Sequence, residues 1–440
     1  MTRRQLLSLA GCCVPSAVSG RAQSASGANA AEADITLRIA EITLDLAPRR
    51  SVRTLAYNGQ SPGPPLRIPE GKSIVVEVWN DTAENEMVHW HGFQIPADVD
   101  GAHEEGTPHI APRDHRRYSF TARPSGTRWY HSHGHAGRNL HKNTYSGQFG
   151  LVVVEPASDP GRYDQEVPII LHEWEPYFTD DMDVDYKLFS INGKMLGGGE
   201  PIRVRQSQRV LLRVLNASAT LTHRLALPGH SFTVIALDGN ALPAPRTVPL
   251  LELAPAERVD ALVEMDRPGV WILGETRDAQ RNAGMGIAVE YAGESGAPRW
   301  MPPPAYTWDY TVFGGRQAAP EPDGRFPFVI KAVSGHKWMI NGKSFPHTDP
   351  FLVIANRRYR FTFDNQTSEA HPIHLHRHRF EITRFAGKPT SGVFKDTVVV
   401  PAWREVEVDL VAANPGPTLM HCHQQLHMDE GFMAMLEYKE

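Results

Sequence analysis

The sequence predicts an all-β protein made of three consecutive β-sandwich units. Three observations carry this: period-two alternation, turn residues about every ten positions, and a weak internal repeat. Ile35-Thr36-Leu37-Arg38-Ile39 and Glu405-Val406-Glu407-Val408-Asp409-Leu410 alternate apolar and polar side chains, as strands with one buried face do. With 36 Gly and 35 Pro in 440 residues the chain is loop-rich, yet 41% hydrophobic and 22% charged residues suffice for sizeable cores. A formal net charge of −5 argues against a nucleic-acid partner, whose binders carry basic surfaces.

Residues 1–30 read as an address. Thr2-Arg3-Arg4-Gln5-Leu6-Leu7 opens a short apolar run followed by Ala, Ser and Gly, the layout of an export signal. The paired Arg3 and Arg4 point to the twin-arginine route, hence a periplasmic or secreted protein. Cleavage is expected after Ala30; the alternative is lipid anchoring at Cys12 in Leu9-Ala10-Gly11-Cys12. No stretch reaches 18 uninterrupted apolar residues, so no transmembrane segment is expected. Cleavage leaves one of three cysteines, Cys422, which an oxidising compartment would attack unless something protects it.

The repeat follows. Asn58-Gly59, Asn192-Gly193 and Asn341-Gly342 each precede a Pro-containing loop and a β-rich run that closes on Asn80, Asn216 or Asn365. The spacings from first to closing Asn are 22, 24 and 24, and His89, His223 or His371 follows within nine residues. The copies lie 134 and 149 residues apart, matching the length of a sandwich domain. The closing asparagines sit in Asn-x-Ser/Thr triplets, but their recurrence at one repeat position favours a structural role at a strand end. Boundaries fall in the Pro-bearing stretches, which divides the mature chain into 31–158, 159–298 and 299–440.

Ten of the 21 histidines sit in four clusters: His89-Trp90-His91, His131-Ser132-His133, His371-Pro372-Ile373-His374-Leu375-His376 and His421-Cys422-His423 with His427. Every cluster contains His-x-His, and in a strand residues i and i+2 face the same side, so each pair aims two imidazoles into one space. Four pairs can surround a polynuclear metal site; imidazole alone does not choose among Zn, Cu, Fe and Ni. In the last cluster alternation throws Cys422 to the opposite face, where a thiolate joined by His371 and His427 makes the His₂Cys set of a blue-copper centre. A zinc hydrolase would need about three ligands and an open position, not ten. The other eleven histidines, among them His103, His109, His115, His135, His141, His172 and His378, are expected at the surface or behind the ligands.

In these motifs the chain resembles the multicopper oxidases, specifically their three-domain, laccase-like bacterial branch, over nearly its whole mature length. The resemblance implies three cupredoxin-like Greek-key sandwiches and four coppers per chain. By motif position, His371, Cys422 and His427 would hold the type 1 copper, and His89 and His374 the type 2 copper. His91, His131, His133, His376, His421 and His423 would hold the type 3 pair. The middle unit, with His223 and His230 but no His-x-His and no cysteine, would bind no copper. The implied reaction is one-electron oxidation of a small reducing substrate, coupled to four-electron reduction of O₂ to water.

Four positions qualify this. Phe432, ten residues after Cys422, stands where many bacterial members carry Met; it cannot coordinate, so a high type 1 potential is expected, with Met433 the competing neighbour. Oxygen reduction consumes protons, and Asp100, nine residues after His91, matches an acid near the cluster in related enzymes. Met428 replaces a Glu found after the second type 1 histidine, and Arg377 replaces a Gly, tied to an acid or exposed. Phenols or aromatic amines are the expected donors, with His427 as the exposed electron-accepting edge; the alternatives are a Cu(I), Fe(II) or Mn(II) oxidase and a copper-free exported structural relative. One chain supplies every ligand, so a monomer is expected.

Overall fold

The structure, a computed structural model, describes residues 32–157, 162–333 and 337–439. The expected signal, with Arg3, Arg4 and Cys12, lies outside the described residues. From Ala33 onward the chain forms one compact unit of six sheets in three pairs, within residues 35–155, 165–291 and 324–438.

Each pair repeats one topology. The first strand of a unit lies parallel to the strand that ends on the closing Asn: Ile35–Ala47 on Ser73–Asn80, Gln165–Phe178 on Arg209–Asn216, and Gly324–Val333 on Arg358–Asn365. A parallel pair needs a crossover. Between Ile35–Ala47 and Ser73–Asn80 the chain visits the opposite sheet through Leu66–Pro69, and this closes the first sandwich. Arg358–Asn365 alternates between buried and partly exposed residues along its length, so one face fills the core, as the sequence pattern requires.

Local chemistry explains the repeat. Asn58, Asn192 and Asn341 adopt φ of 52°, 53° and 52° and are each followed by a positive-φ Gly, the requirement of a tight Asn-Gly hairpin turn. Each also uses its side chain to clamp the first strand: Asn58 accepts from Arg38 N–H, Asn192 from Ile170 N–H and Asn341 from Val329 N–H. The closing asparagines are buried and donate to loop carbonyls: Asn80 to Glu84, Ile110 and Ala111, and Asn365 to Glu369, Val400 and Pro401. Asn216 does the same with Leu221 and Leu253. These are strand-end locks, unavailable for modification.

Candidate metal centre

Register brings the four clusters together. Val88–His91 runs antiparallel to Gly126–Ser132 with His89 opposite His131 and Trp90 opposite Tyr130. Opposed residues share a face. His89, His91 and His131 therefore point one way, while Trp90 and Tyr130 fill the first core. In the third unit His374 lies opposite His421 and Ile373 opposite Cys422. His374 and His421 meet the histidines of the first unit; Ile373, Cys422 and Phe432 enter the third core.

The resulting space is lined by imidazole. His91 stacks on His374 at 3.7 Å between centroids and His89 on His376 at 4.0 Å, so the first and third units interleave their rings. The Nδ1 atoms point outward to acceptors: His89 to Asp100 O at 2.9 Å, His131 to Ser132 O at 2.8 Å, His374 to Asp396 O at 2.8 Å and His421 to Cys422 O at 2.9 Å. Inward, Nε2 of His89, His131, His133, His374 and His423 is buried with no hydrogen-bond partner. His91 is turned round, with Nε2 3.1 Å from Asp396 and Nδ1 left without a partner. Nε2 of His376 and His421 face each other at 3.1 Å. Burial first, then the neighbouring rings, holds His91, His131, His133, His374, His376 and His423 well below the usual imidazole range. So many buried lone pairs without donors would be costly unless something fills the space. The donor set suits a metal cluster, with each outward hydrogen bond orienting a ligand.

On the far side of the same strand, Sγ of Cys422 lies 3.6 Å from Nδ1 of His427 and 3.9 Å from Nδ1 of His371. The three donor atoms form one buried group. His371 is oriented through Nε2 by Thr367 Oγ1 at 2.9 Å. Phe432, fully buried, places its ring 5.1 Å from that of His371. Met433 begins the next strand opposite His421, on the face away from the sulfur, so it does not compete with Phe432 for the place beside Cys422.

Three family profiles described as "Multicopper oxidase" match residues 39–159, 177–293 and 320–440. The chain is 30% identical to the multicopper oxidase MmcO of Mycobacterium tuberculosis (strain ATCC 25618 / H37Rv), over 98% of this chain and 94% of that one. The chain belongs to the multicopper oxidase family. It is also 25% identical to Laccase-8 of Oryza sativa subsp. japonica, covering 86% of this chain and 88% of that protein. Among solved structures, Fet3p, a multicopper oxidase that functions in iron import, matches at TM-score 0.78 and 19% identity, over 92% of this chain and 90% of that one. The multi-copper oxidase of Pseudomonas thermotolerans matches at 0.75 and 24%, over 93% and 100%. At these identities the structures speak for the fold, three cupredoxin-like sandwiches. The protein is an oxidase of a family that uses copper.

Carboxylates surround this multicopper oxidase's histidine chamber. Asp100, expected from sequence, is fully buried; its Oδ2 lies 2.9 Å from Nδ1 of His376 and 3.1 Å from Nδ1 of His89. Two further acids escaped sequence reading. Glu105 accepts from Leu419 N–H at 2.6 Å and lies 3.5 Å from His376 Nδ1; burial and then Asp100 hold its carboxyl well above the usual range. Asp396 touches His91 and is gripped by both terminal nitrogens of Arg258, at 2.7 and 2.6 Å. A Cβ on Gly92 would come within 2.6 Å of Arg258 and 2.8 Å of Asp396, which is why the first motif continues with Gly. No local pattern marks these residues, because their partners come from other units.

Three expectations need correction. His427 is only 5% exposed, covered by the Trp338 ring at 4.1 Å and by Glu369, whose carboxylate lies 3.3 Å from Nε2; it is buried with a covered edge, not an exposed one. Arg377 is not exposed and among the described residues makes no ion pair, though its charge lowers the Glu105 carboxyl against the effect of burial; it adopts φ 57° and donates to the carbonyls of Ile95, Pro417, Asn414 and Pro415 and to Thr418 Oγ1. His172, His223 and His230 are core residues with their own partners, such as Ala217 O for His172 at 2.9 Å, while His378 lies behind His376, 3.2 Å from its carbonyl and 2.7 Å from Tyr438.

Proposed function

We propose that this multicopper oxidase is laccase-like, oxidising phenols or aromatic amines one electron at a time and reducing O₂ to water. The observation that carries this is the pairing of a buried Cys422, flanked by two imidazole Nδ1 atoms, with an adjoining chamber of partnerless ring nitrogens. His371, Cys422 and His427 would hold a type 1 copper, His89 and His374 a type 2 copper, and His91, His131, His133, His376, His421 and His423 a type 3 pair, four in all. Bound copper supplies the one-electron steps and the site of oxygen reduction.

The chain's own residues do the rest. The peptide His421-Cys422-His423 spans the strand from the sulfur face to the chamber, a covalent route for electrons. Trp338 and the buried apolar shell around Cys422 exclude water from the sulfur. Asp100 holds the rings of His89 and His376 and is the acid beside the oxygen site. The closed set of ligands within one chain supports a monomer, and Arg3-Arg4 with the apolar run after it supports twin-arginine export to the periplasm or medium. Among the described residues no helix is long and apolar enough to cross a membrane.

Glu369 favours a second reading, oxidation of a metal ion, since it places a 47% exposed carboxylate against His427. One set of measurements tests both: copper content, the visible spectrum, and steady-state rates with a phenol, a bulky dye, Cu(I) and Mn(II). About four coppers, a strong blue band and the fastest turnover with phenol are expected. Faster turnover with Cu(I) would replace the substrate class; a protein without copper would leave a structural relative.

A further inference from the structure

The first and third units share one hydrogen-bond frame, and their differences within it are informative. Glu86 bridges antiparallel to Ile110 as His371 pairs with Val400. Each stands six residues after its closing Asn, and each side chain meets the Thr two residues after that Asn: Thr82 for Glu86, Thr367 for His371. Ser132 N–H donates to Gln148 O as Cys422 N–H donates to Phe432 O. In this frame His89, His91, His131 and His133 correspond to His374, His376, His421 and His423. Glu86, Ser132 and Gln148 then occupy the places of His371, Cys422 and Phe432.

The first unit thus holds a polar, sulfur-free counterpart of the Cys422 site, joined to the chamber by His131-Ser132-His133. At that place lies an open cavity of about 240 Å³, with Glu86, Gln148 and Asn143 in its wall and His133 among its lining residues. At about 30 Å³ per water it has room for several. Glu86 is 8% exposed and accepts from Gln148 Nε2 at 2.8 Å, while Ser146 Oγ donates to Gln148 Oε1 at 2.9 Å. Burial pushes its carboxyl up to about 7, against the lowering effect of Gln148 and Thr82. Tyr57 faces it from the neighbouring sheet, and His109, His135 and the Lys142–Glu84 ion pair line the cavity with it.

We propose that this cavity is the proton inlet of the oxygen site, with Glu86 relaying protons from solvent toward the oxygen reduced beside His133. The two equivalent places then divide the work: the third unit brings electrons through Cys422, the first brings protons past Ser132. For each O₂, four electrons arrive from the reducing substrate and four protons from solvent, giving two waters. In a relay step the Glu86 O–H bond breaks, an O–H bond forms along the water chain toward the reduced oxygen, and the carboxylate regains a proton from solvent. This rests on oxygen reduction at the histidine chamber, as proposed above.

The test is single-turnover reoxidation of the copper-loaded enzyme after full chemical reduction, from pH 5 to 9, in H₂O and D₂O. Glu86→Gln should slow reoxidation by at least about tenfold, enlarge the solvent isotope effect and remove the pH inflection near neutrality, while Glu86→Asp recovers part of the rate. Infrared difference spectra between pH 6 and 8 should show a carboxylic acid band that Glu86→Gln lacks. A Glu86→Gln enzyme with wild-type rate, pH profile and isotope effect overturns the proposal. If that variant loads copper poorly, Gln148→Leu decides: losing a partner that lowers the Glu86 pKa should move the reoxidation midpoint to higher pH, and an unmoved midpoint overturns the inlet. Failure of the wild type itself to consume O₂ after reduction would instead reject the oxidase reading on which the inlet rests.

Discussion

The Asp396 carboxylate lies 3.1 Å from Nε2 of His91, although 305 residues separate the two. Asp396 reaches His91 from the third unit, and Arg258 of the second unit holds both its oxygens. One buried carboxylate therefore joins all three units at a proposed copper ligand. It also explains why His91, bonded through Nε2, leaves only Nδ1 without a partner, where His89, His131, His133 and His374 leave Nε2.

Arg258→Met should be strongly destabilising, because it strands Asp396 as an uncompensated buried charge. The expected cost is about 3–5 kcal/mol, read as a shift in the denaturant midpoint of the copper-free protein. A loss below about 1 kcal/mol would show that Arg128, 3.8 Å from Asp396, suffices to balance it.

Phe432→Met should lower the potential of the copper proposed at Cys422. The buried ring packs beside His371 and offers the sulfur face no donor, whereas a thioether there favours a different balance of copper oxidation states. Redox titration of the blue band is the check. An unchanged potential would show that Phe432 does not set the potential of that proposed site.

Asp100→Asn should slow reduction of O₂ by roughly 10²-fold and leave reduction of the copper proposed at Cys422 by donor unaffected. Its carboxylate touches His89 and His376 but no group of the Cys422 site. Anaerobic reduction and aerobic reoxidation, followed separately by stopped flow, distinguish the half-reactions. Normal reoxidation would take Asp100 out of the mechanism.

The middle unit should lose stability in mild alkali. Burial alone would depress His223, but Glu173 and Glu275 outweigh it and hold the ring up to about 9. A pKa raised on folding means the contribution is complete below the ordinary value of about 6.5 and disappears as pH climbs through about 9. Melting temperature should therefore fall across that window. In His223→Gln it should start lower and change less; an equally steep fall in the variant would place the alkaline transition elsewhere.

Much was legible in the sequence because its signals are local. Strand alternation put both histidines of each His-x-His pair on one face and Cys422 on the other, and the structure has that arrangement. The Asn-Gly turns and closing asparagines announced three copies, since each needs only its own hairpin or strand end to act. The register was less clear: His89 stands in the frame of His374, not His371, and this emerges only from strand partners such as Glu86 with Ile110 and His371 with Val400.

By itself the sequence determined the all-β class, the threefold repeat, and the set of histidines with Cys422, because side-chain direction follows from backbone period. Tertiary structure alone decided how the units meet: Asp396 on His91, Arg258 on Asp396, Glu105 beside Asp100, and Trp338 and Glu369 covering His427. It also decided that Arg377 is buried among carbonyls and that Glu86 lines a cavity beside His133. The reason is physical. Which way a side chain points is set by its neighbours in the chain, but what a buried charge meets is set by long-range packing, where partners hundreds of residues apart compensate one another.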